Sequence, residues 1–179
     1  QCALAAVMAA CVLWKLAPIP MPGYGRQVVE TMVFEGLMAI VISRTVAKAS
    51  GLGMRIACAV SYAAATAIDI DHIIVAGSFD FVKVMNTATP VTHSLVFAAA
   101  LGFAGWLVTR RVAWGWILFS SVALHVLWDA TDIPEPPLPI WWPFSGYQMP
   151  RVFGYVGVEV LFLLTALFAA LRGRRAESP

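Results

Sequence analysis

Six long apolar stretches, separated by short polar segments, constrain this chain more than any other feature of its sequence. A transmembrane helix needs roughly 20 mostly apolar residues, and these stretches reach or approach that length. The alternating pattern of membrane-barrel strands is missing, so helices are favoured. We predict an all-α fold, a polytopic transmembrane helical bundle of about six spans in a single integral membrane domain. The predicted spans cover approximately residues 3–16, 28–46, 56–76, 92–109, 112–129 and 152–171.

Composition supports the same class of protein. Hydrophobic residues make up 60% of the chain and charged residues 12%, whereas a soluble domain carries about 25% charged residues. A formal net charge of +2 is too small for the electrostatic footprint of a nucleic-acid binder. The three cysteines lie in apolar runs without the spacing of a metal or disulfide framework. We therefore expect membrane lipid as a partner and no nucleic acid.

Lysine and arginine positions predict the orientation of the bundle. One side would carry eight of the twelve cations, namely Arg44, Lys48, Arg55, Arg110, Arg111, Arg172, Arg174 and Arg175. The other side would carry Lys15, Arg26, Lys83 and Arg151. Because cytoplasmic loops are enriched in Lys and Arg, the first group is predicted to be cytoplasmic. Arg110 and Arg111 would form the turn of a helix hairpin.

All three histidines lie at the predicted outer ends of spans. His72 ends the third span, His93 begins the fourth, and His125 lies near the end of the fifth with Asp129 four residues later. The orientation rests on Lys and Arg alone, so the location of all three histidines on one face is an independent observation. Ionisable residues inside spans are costly and indicate a functional site by default.

The residue types around these histidines suit a divalent metal. Residues three or four positions apart share a helix face, which pairs Asp69 with His72 and His125 with Asp129. Asp71 would point elsewhere unless the helix ends there. Imidazole and carboxylate ligands suit zinc above all, and also manganese or Fe(II). The predicted metal ligands are Asp69, Asp71, His72, His93, His125 and Asp129, for one or two ions.

Other readings of the same residues stay open. A lone intramembrane histidine is more often packed and hydrogen-bonded than a ligand, and transport sites also collect such residues. Glu35, about two turns inside the second span, is a candidate ligand, general base, proton carrier or structural partner. Asp71 is the second candidate catalytic carboxylate. Glu159 in the sixth span is a candidate for a second such group, with a packed structural role as the simpler interpretation.

The order of these motifs resembles the YdjM-like family of membrane-bound proteins, to which metal-dependent hydrolase activity is ascribed. The resemblance rests on Asp69-Ile70-Asp71-His72, then Thr92-His93-Ser94-Leu95, His125 with Asp129 and Thr131, and Trp142-Pro143-Phe144. The chain departs from the family pattern in three places. Ala67-Ile68 replaces the usual Pro, Ala88-Thr89-Pro90 replaces His-Arg-Gly, and Glu35-Gly36 stands where a histidine is usual.

The resemblance implies hydrolase chemistry at a membrane, and the departures are compatible with a changed ligand set in which Glu35 is a ligand or a base. A site at the outer ends of the spans would suit a lipid-borne or membrane-proximal ester or phosphoester. We expect the protein in the cytoplasmic (inner) membrane of a prokaryote, with the site facing outward. Two alternatives remain at this point: a small transporter or proton relay using the same cluster, and an inactive structural relative.

The segment 132–151 is rich in proline and aromatic residues, which favours extended structure over helix. It is predicted to be either a lid beside the site or an interfacial connector anchored by its tryptophans.

Overall fold

In a computed structural model of the chain, the described residues are 35–130 and 137–148, together with the isolated positions 6, 10, 29 and 33. Within them the fold is all-helical, without strands. The helices are α1 (Gly36–Ser50), α2 (Met54–Thr66), α3 (Ile70–Ala76), α4 (Phe81–Met85), α5 (Leu95–Thr109) and α6 (Val112–Asp129). The predicted all-α class is confirmed.

Helix α6 is the centre of the described bundle. It packs against α5, α2 and α1, and α1 also packs against α2. Small residues permit close approach: a side chain at Gly36 would collide with the ring of Tyr62, so α1 lies directly against α2 at this level. As a result, Glu35 at the start of α1 is buried inside the bundle rather than at its surface.

The hairpin predicted around Arg110 and Arg111 is present as α5 and α6. The two helices meet through glycine, because a Cβ built on Gly102 would lie 2.8 Å from the carbonyl oxygen of Gly115. Arg110 closes α5 with a left-handed φ of 57°. The Thr109 hydroxyl supports the turn by accepting a hydrogen bond from the Arg111 N–H over 3.3 Å.

The predicted span 56–76 is interrupted near its outer end. Helix α2 ends at Thr66, and α3 begins at Ile70. Across the break the backbone bonds join residues three apart: Ile70 to Ala67, Asp71 to Ile68, and His72 to Asp69, over 3.1–3.2 Å. Such tighter turns change the direction of the side chains relative to a continuous α-helix.

Among the described residues, two segments are long and apolar enough to cross a membrane: Met54–Ala76, with 23 residues, and Val112–Asp129, with 18. Helix α5 is apolar but shorter. Helix α1 continues to Ser50, past the predicted end at residue 46, and closes on Gly51 with a left-handed φ of 65°. The predicted spans 3–16 and 152–171, residues 28–34 of the second span, Glu159 and segment 131–136 lie outside the described residues, apart from the isolated positions named above.

The connector after α6 packs back onto the bundle. Leu138 and Ile140 are buried, and Ile140 joins an apolar cluster with Ala98, Val122 and Val126. The Ile140 carbonyl accepts a hydrogen bond from the first N–H of α5 over 3.0 Å. Aromatic side chains of this connector remain exposed, namely Trp141, Trp142, Phe144 and Tyr147. The connector therefore fixes the start of α5, two residues after His93.

Candidate metal centre

The structure brings all seven predicted site residues together at one end of the bundle. We call this set the His–carboxylate cluster; it comprises Glu35, Asp69, Asp71, His72, His93, His125 and Asp129. They come from four separate segments: the residue before α1, the α2–α3 break with α3, the turn before α5, and the last turns of α6. Sequence separation between contacting pairs reaches from 4 to 90 positions, so the cluster depends on tertiary packing.

Two histidine nitrogens and two carboxylate oxygens converge at its centre. Nε2 of His93 lies 3.1 Å from Nε2 of His125. Asp69 Oδ1 lies 3.4 Å from the first nitrogen and 3.3 Å from the second. Asp129 Oδ2 lies 3.5 Å from the first and 3.3 Å from the second. Two imidazole nitrogens that face each other among carboxylates are a donor set typical of a bound cation.

The remaining nitrogen of each ring faces a different carboxylate. Nδ1 of His93 pairs with Asp71 Oδ2 at 3.3 Å. Nδ1 of His125 pairs with Glu35 Oε2. The Thr92 hydroxyl donates a hydrogen bond to the same oxygen of Asp71. Each central histidine is therefore held between an inner pair of aspartates and one outer carboxylate.

Burial is graded across the cluster. Both central histidine side chains are fully buried, and Glu35 is nearly so. The side chains of Asp129 and Asp71 are 14% and 18% exposed, and that of Asp69 is 36% exposed. The cluster is thus most enclosed at the two histidines and Glu35 and most exposed at Asp69.

His72 lies at the edge of the cluster. Its ring packs edge-to-face on His93 with 4.7 Å between centroids, and its Nδ1 is buried without a hydrogen bond. Two groupings here could hold a metal ion by distance, Asp69 with His93 and His125, and Asp71 with His72 and His93. His93 belongs to both groupings. Its ring would therefore bind one ion through each nitrogen, or both ions would share one nitrogen.

Electrostatics at His93 favour positive charge. His93 lies in the turn before α5. Burial disfavours the charged form of its ring, whereas the carboxylates of Asp69 and Asp71 favour it. The carboxylates thus make the site attractive to a cation.

A second polar layer lies one helical turn below His125. The hydroxyls of Ser61 and Ser121 are 2.7 Å apart, and Ser61 donates to the carbonyl of Ala39 over 2.8 Å. Below them the bundle becomes apolar. There Ala47, Leu52, Ala57 and Ile117 form a buried cluster, which we call the apolar plug.

The direction of Asp71 follows from the helix break. On a continuous helix it would point away from Asp69, but the tighter turns across residues 67–72 bring both aspartates to His93. Thr92, whose hydroxyl donates to Asp71, has no role predicted from the sequence. Its signal was its position next to His93, in the Thr92-His93-Ser94 motif.

These features define a class of protein: a helical membrane protein whose buried histidines and aspartates could hold a metal ion. The family model described as YdjM inner membrane protein matches residues 32–178, and the chain belongs to this family. The predicted resemblance is confirmed. No curated protein and no solved structure matches the chain significantly.

Proposed function

We propose that the protein is a membrane-bound, metal-dependent hydrolase that acts on a lipid-borne or membrane-proximal ester or phosphoester at the extracytoplasmic face. One divalent ion, zinc above manganese or Fe(II), would be held by Asp69, His93, His125 and Asp129. The complete bundle would have about six spans in the inner membrane, oriented with the cluster outward.

The observation that carries the proposal is the spacing of the four donor atoms. A tetrahedral zinc ion with bonds of about 2.0–2.1 Å holds its ligand atoms about 3.3–3.4 Å apart. The five distances among the central nitrogens and oxygens are 3.1–3.5 Å. The donor chemistry therefore suits the ion, as do the distances from each carboxylate oxygen to the two nitrogens.

The residues of the proposed metal centre would have different roles. A divalent ion would supply Lewis acidity towards an ester or phosphoester and would lower the pKa of water. The buried histidines hold fixed positions and exclude solvent from below, while Asp69 borders the open side where a substrate would approach. His72 has no ligand role in this arrangement, which makes it a useful control.

A groove beside the cluster supports a lipid as substrate. It has a volume of about 380 Å³ and lies between α2–α3 and α5, with Ala64, Ile68 and Leu101 in its apolar wall. The groove ends at Asp71 and Thr92, which contact the cluster. Since the surrounding helices are of membrane length or apolar, we propose that it holds a lipid hydrocarbon chain with the polar group at the site.

Metal content tests the proposed centre. Purified wild-type protein should hold about one equivalent of a transition metal by elemental analysis. His93→Ala and His125→Ala should each lose most of it, because each removes a central ligand. His72→Ala should keep it, since His72 is a neighbouring histidine without a ligand role. Unchanged content in both ligand variants would contradict the centre.

The groove has a separate test. In vesicles containing a phospholipid with a photoactivatable acyl chain, wild-type protein should crosslink at the groove. Ala64→Trp should reduce crosslinking severalfold by filling it, with metal content unchanged. Ala100→Trp, on the same bundle but outside the groove, is the matched control. Equal crosslinking of both variants would contradict the lipid-chain position.

Thiol labelling tests the orientation. In a background without native cysteines, Ala88→Cys should react with an impermeant reagent from outside intact cells. Lys48→Cys should react only after permeabilisation, because its loop is predicted to be cytoplasmic. The reverse pattern would overturn the outward orientation.

A further inference from the structure

Both central histidines have the same arrangement on different scaffolds. For each ring, Nε2 faces the centre of the cluster and Nδ1 faces a carboxylate outside it. The outer carboxylate of His125 is Glu35, at the start of α1, and that of His93 is Asp71, in α3. The same chemical pairing thus arises twice from unrelated segments.

A histidine that binds a metal through one nitrogen carries its proton on the other. A carboxylate at that second nitrogen fixes the tautomer and the ring orientation, and it makes the ligand nitrogen more basic. Asp71 Oδ2 and Glu35 Oε2 lie at ion-pair distance from the two Nδ1 atoms, outside regular hydrogen-bond geometry, so a carboxylate charge is present behind each ring.

We propose that Glu35 and Asp71 are positioning residues, which hold His125 and His93 so that both Nε2 atoms face the ion. The inference rests on the proposed metal centre, and it distinguishes the roles of Glu35 and Asp71 from those of the proposed ligands Asp69 and Asp129. Neither is then a ligand or a general base. Each acts through the histidine that it contacts.

The surroundings of Glu35 support this role over catalysis. Its side chain is only 2% exposed and contacts Nδ1 of His125, whereas Asp69, at the Nε2 atom, is 36% exposed. A substrate that approaches from the open side meets the histidines and aspartates before it reaches Glu35. A buried carboxylate in this place can orient His125 but has no access to a reacting bond.

Asp71 is itself held in place by a neighbouring side chain, that of Thr92. The Thr92 hydroxyl donates to the Asp71 oxygen that faces His93, and Thr92 directly precedes His93 in the chain. Thr92 thus fixes the carboxylate that orients its own neighbour. This arm of the site also borders the apolar groove, whereas the Glu35 arm is enclosed.

A second ion between Asp71, His72 and His93 is the competing arrangement. It would need the Nδ1 of His93 as a ligand nitrogen or would share its Nε2, and it would make Asp71 a ligand. The two arrangements differ in stoichiometry: one ion for the positioning role and two for the competing one.

The experiment compares isosteric variants in purified full-length protein, titrated with Zn²⁺ and, separately, with Co²⁺. Glu35→Gln and Asp71→Asn remove the charge behind each histidine. Asp69→Asn and Asp129→Asn are matched ligand variants. Glu35→Asp and Thr92→Val perturb the two arms more gently and serve if the stronger variants do not fold.

We expect Glu35→Gln and Asp71→Asn to bind one equivalent at saturation with 10- to 100-fold weaker affinity, the usual effect of removing an outer partner. Thr92→Val and Glu35→Asp should show smaller losses of the same kind. The visible spectrum of bound Co²⁺ should stay close to that of wild type in all four. In Asp69→Asn and Asp129→Asn the spectrum should change, because the ligand set changes.

Three results would overturn the inference. Spectra of Glu35→Gln or Asp71→Asn that match those of the ligand variants would make these residues ligands. Two equivalents in wild type and one in Asp71→Asn would establish the second ion. Wild-type affinity in both would remove any positioning role. Wild-type protein that binds neither metal at saturation would instead reject the proposed function itself.

Discussion

The two ends of the α1–α2–α6 bundle differ in polarity: one is lined by ionisable side chains and the other by apolar ones. At one end, carboxylates and histidines meet in the His–carboxylate cluster. At the other end of the same three helices, Ala47, Ala57 and Ile117 pack with Leu52 in the apolar plug. Between them lie the hydroxyl pair of Ser61 and Ser121 and the buried hydroxyl of Ser43, which contacts Cys58.

The difference bears on what the cluster can do. A proton or ion relay needs a polar path that continues to the opposite side of the membrane. In the part of the chain that the structure describes, the polar groups below the cluster are the Ser61–Ser121 pair and Ser43 with Cys58, and the apolar plug follows them. This contrast favours a site that works from one face over a transport pathway.

Removal of the metal should give the largest effect at the polar end. An ion present at about 1,000 times its Kd stabilises the folded state by about 4 kcal/mol. Chelation should therefore lower the apparent melting temperature of wild-type protein in detergent, followed by tryptophan fluorescence. His125→Ala should melt at one temperature with or without chelator. A chelator effect of the same size in this variant would mean that the stabilising ion lies elsewhere.

Truncation of the plug should separate stability from metal binding. Ile117→Ala should cost about 3 kcal/mol, because the side chain is fully buried and leaves a cavity. Zn²⁺ affinity should remain within a few-fold of wild type, since the cluster is two turns away. Equilibrium unfolding and metal titration measure the two quantities. A large loss of affinity would show that the two ends are coupled.

Overpacking the α5–α6 hairpin should affect both properties. In Gly102→Val the new side chain meets the backbone of α6, and we expect a cost of about 2 kcal/mol. Zn²⁺ affinity should also fall, because the hairpin sets the 3.1 Å separation of His93 and His125. Ala100→Val, at an exposed position of α5, is the control and should change neither. Unchanged affinity in Gly102→Val would mean that other helices alone hold the pair.

The serine pair should give the smallest effect. Ser121→Ala should cost about 1 kcal/mol, the usual net value of a hydrogen bond. Ser61 keeps the Ala39 carbonyl as a partner, so no buried hydroxyl loses all its bonds. Hydrolytic activity and metal content should be unchanged. Loss of activity with full metal content would revive the relay reading.

Much of the site could be predicted because regular elements obey simple periodicities. The predicted bounds 112–129 coincide with α6, so His125 and Asp129 share a helix face as their spacing requires. The placement of the three histidines at one end followed from the Lys and Arg distribution. The convergence of these residues could therefore be predicted from helix periodicity and from the distribution of Lys and Arg along the chain.

The parts that sequence did not predict depend on contacts between segments. No Gly or Pro marks the break at residues 67–69, where three tighter backbone bonds redirect Asp71. The pairing of Glu35 with His125 needs the close approach of α1 to α2 at Gly36. No periodicity within one helix encodes either contact.

The origin of the central donor atoms in three separate segments has a consequence for assembly. The last of them, on α6, follows all others in the chain, and no segment holds more than two of the four proposed ligands. A nascent chain that stops before residue 129 has an incomplete set and therefore cannot retain the ion tightly. Retention of the proposed ion would then report that α6 has packed against the segments that precede it.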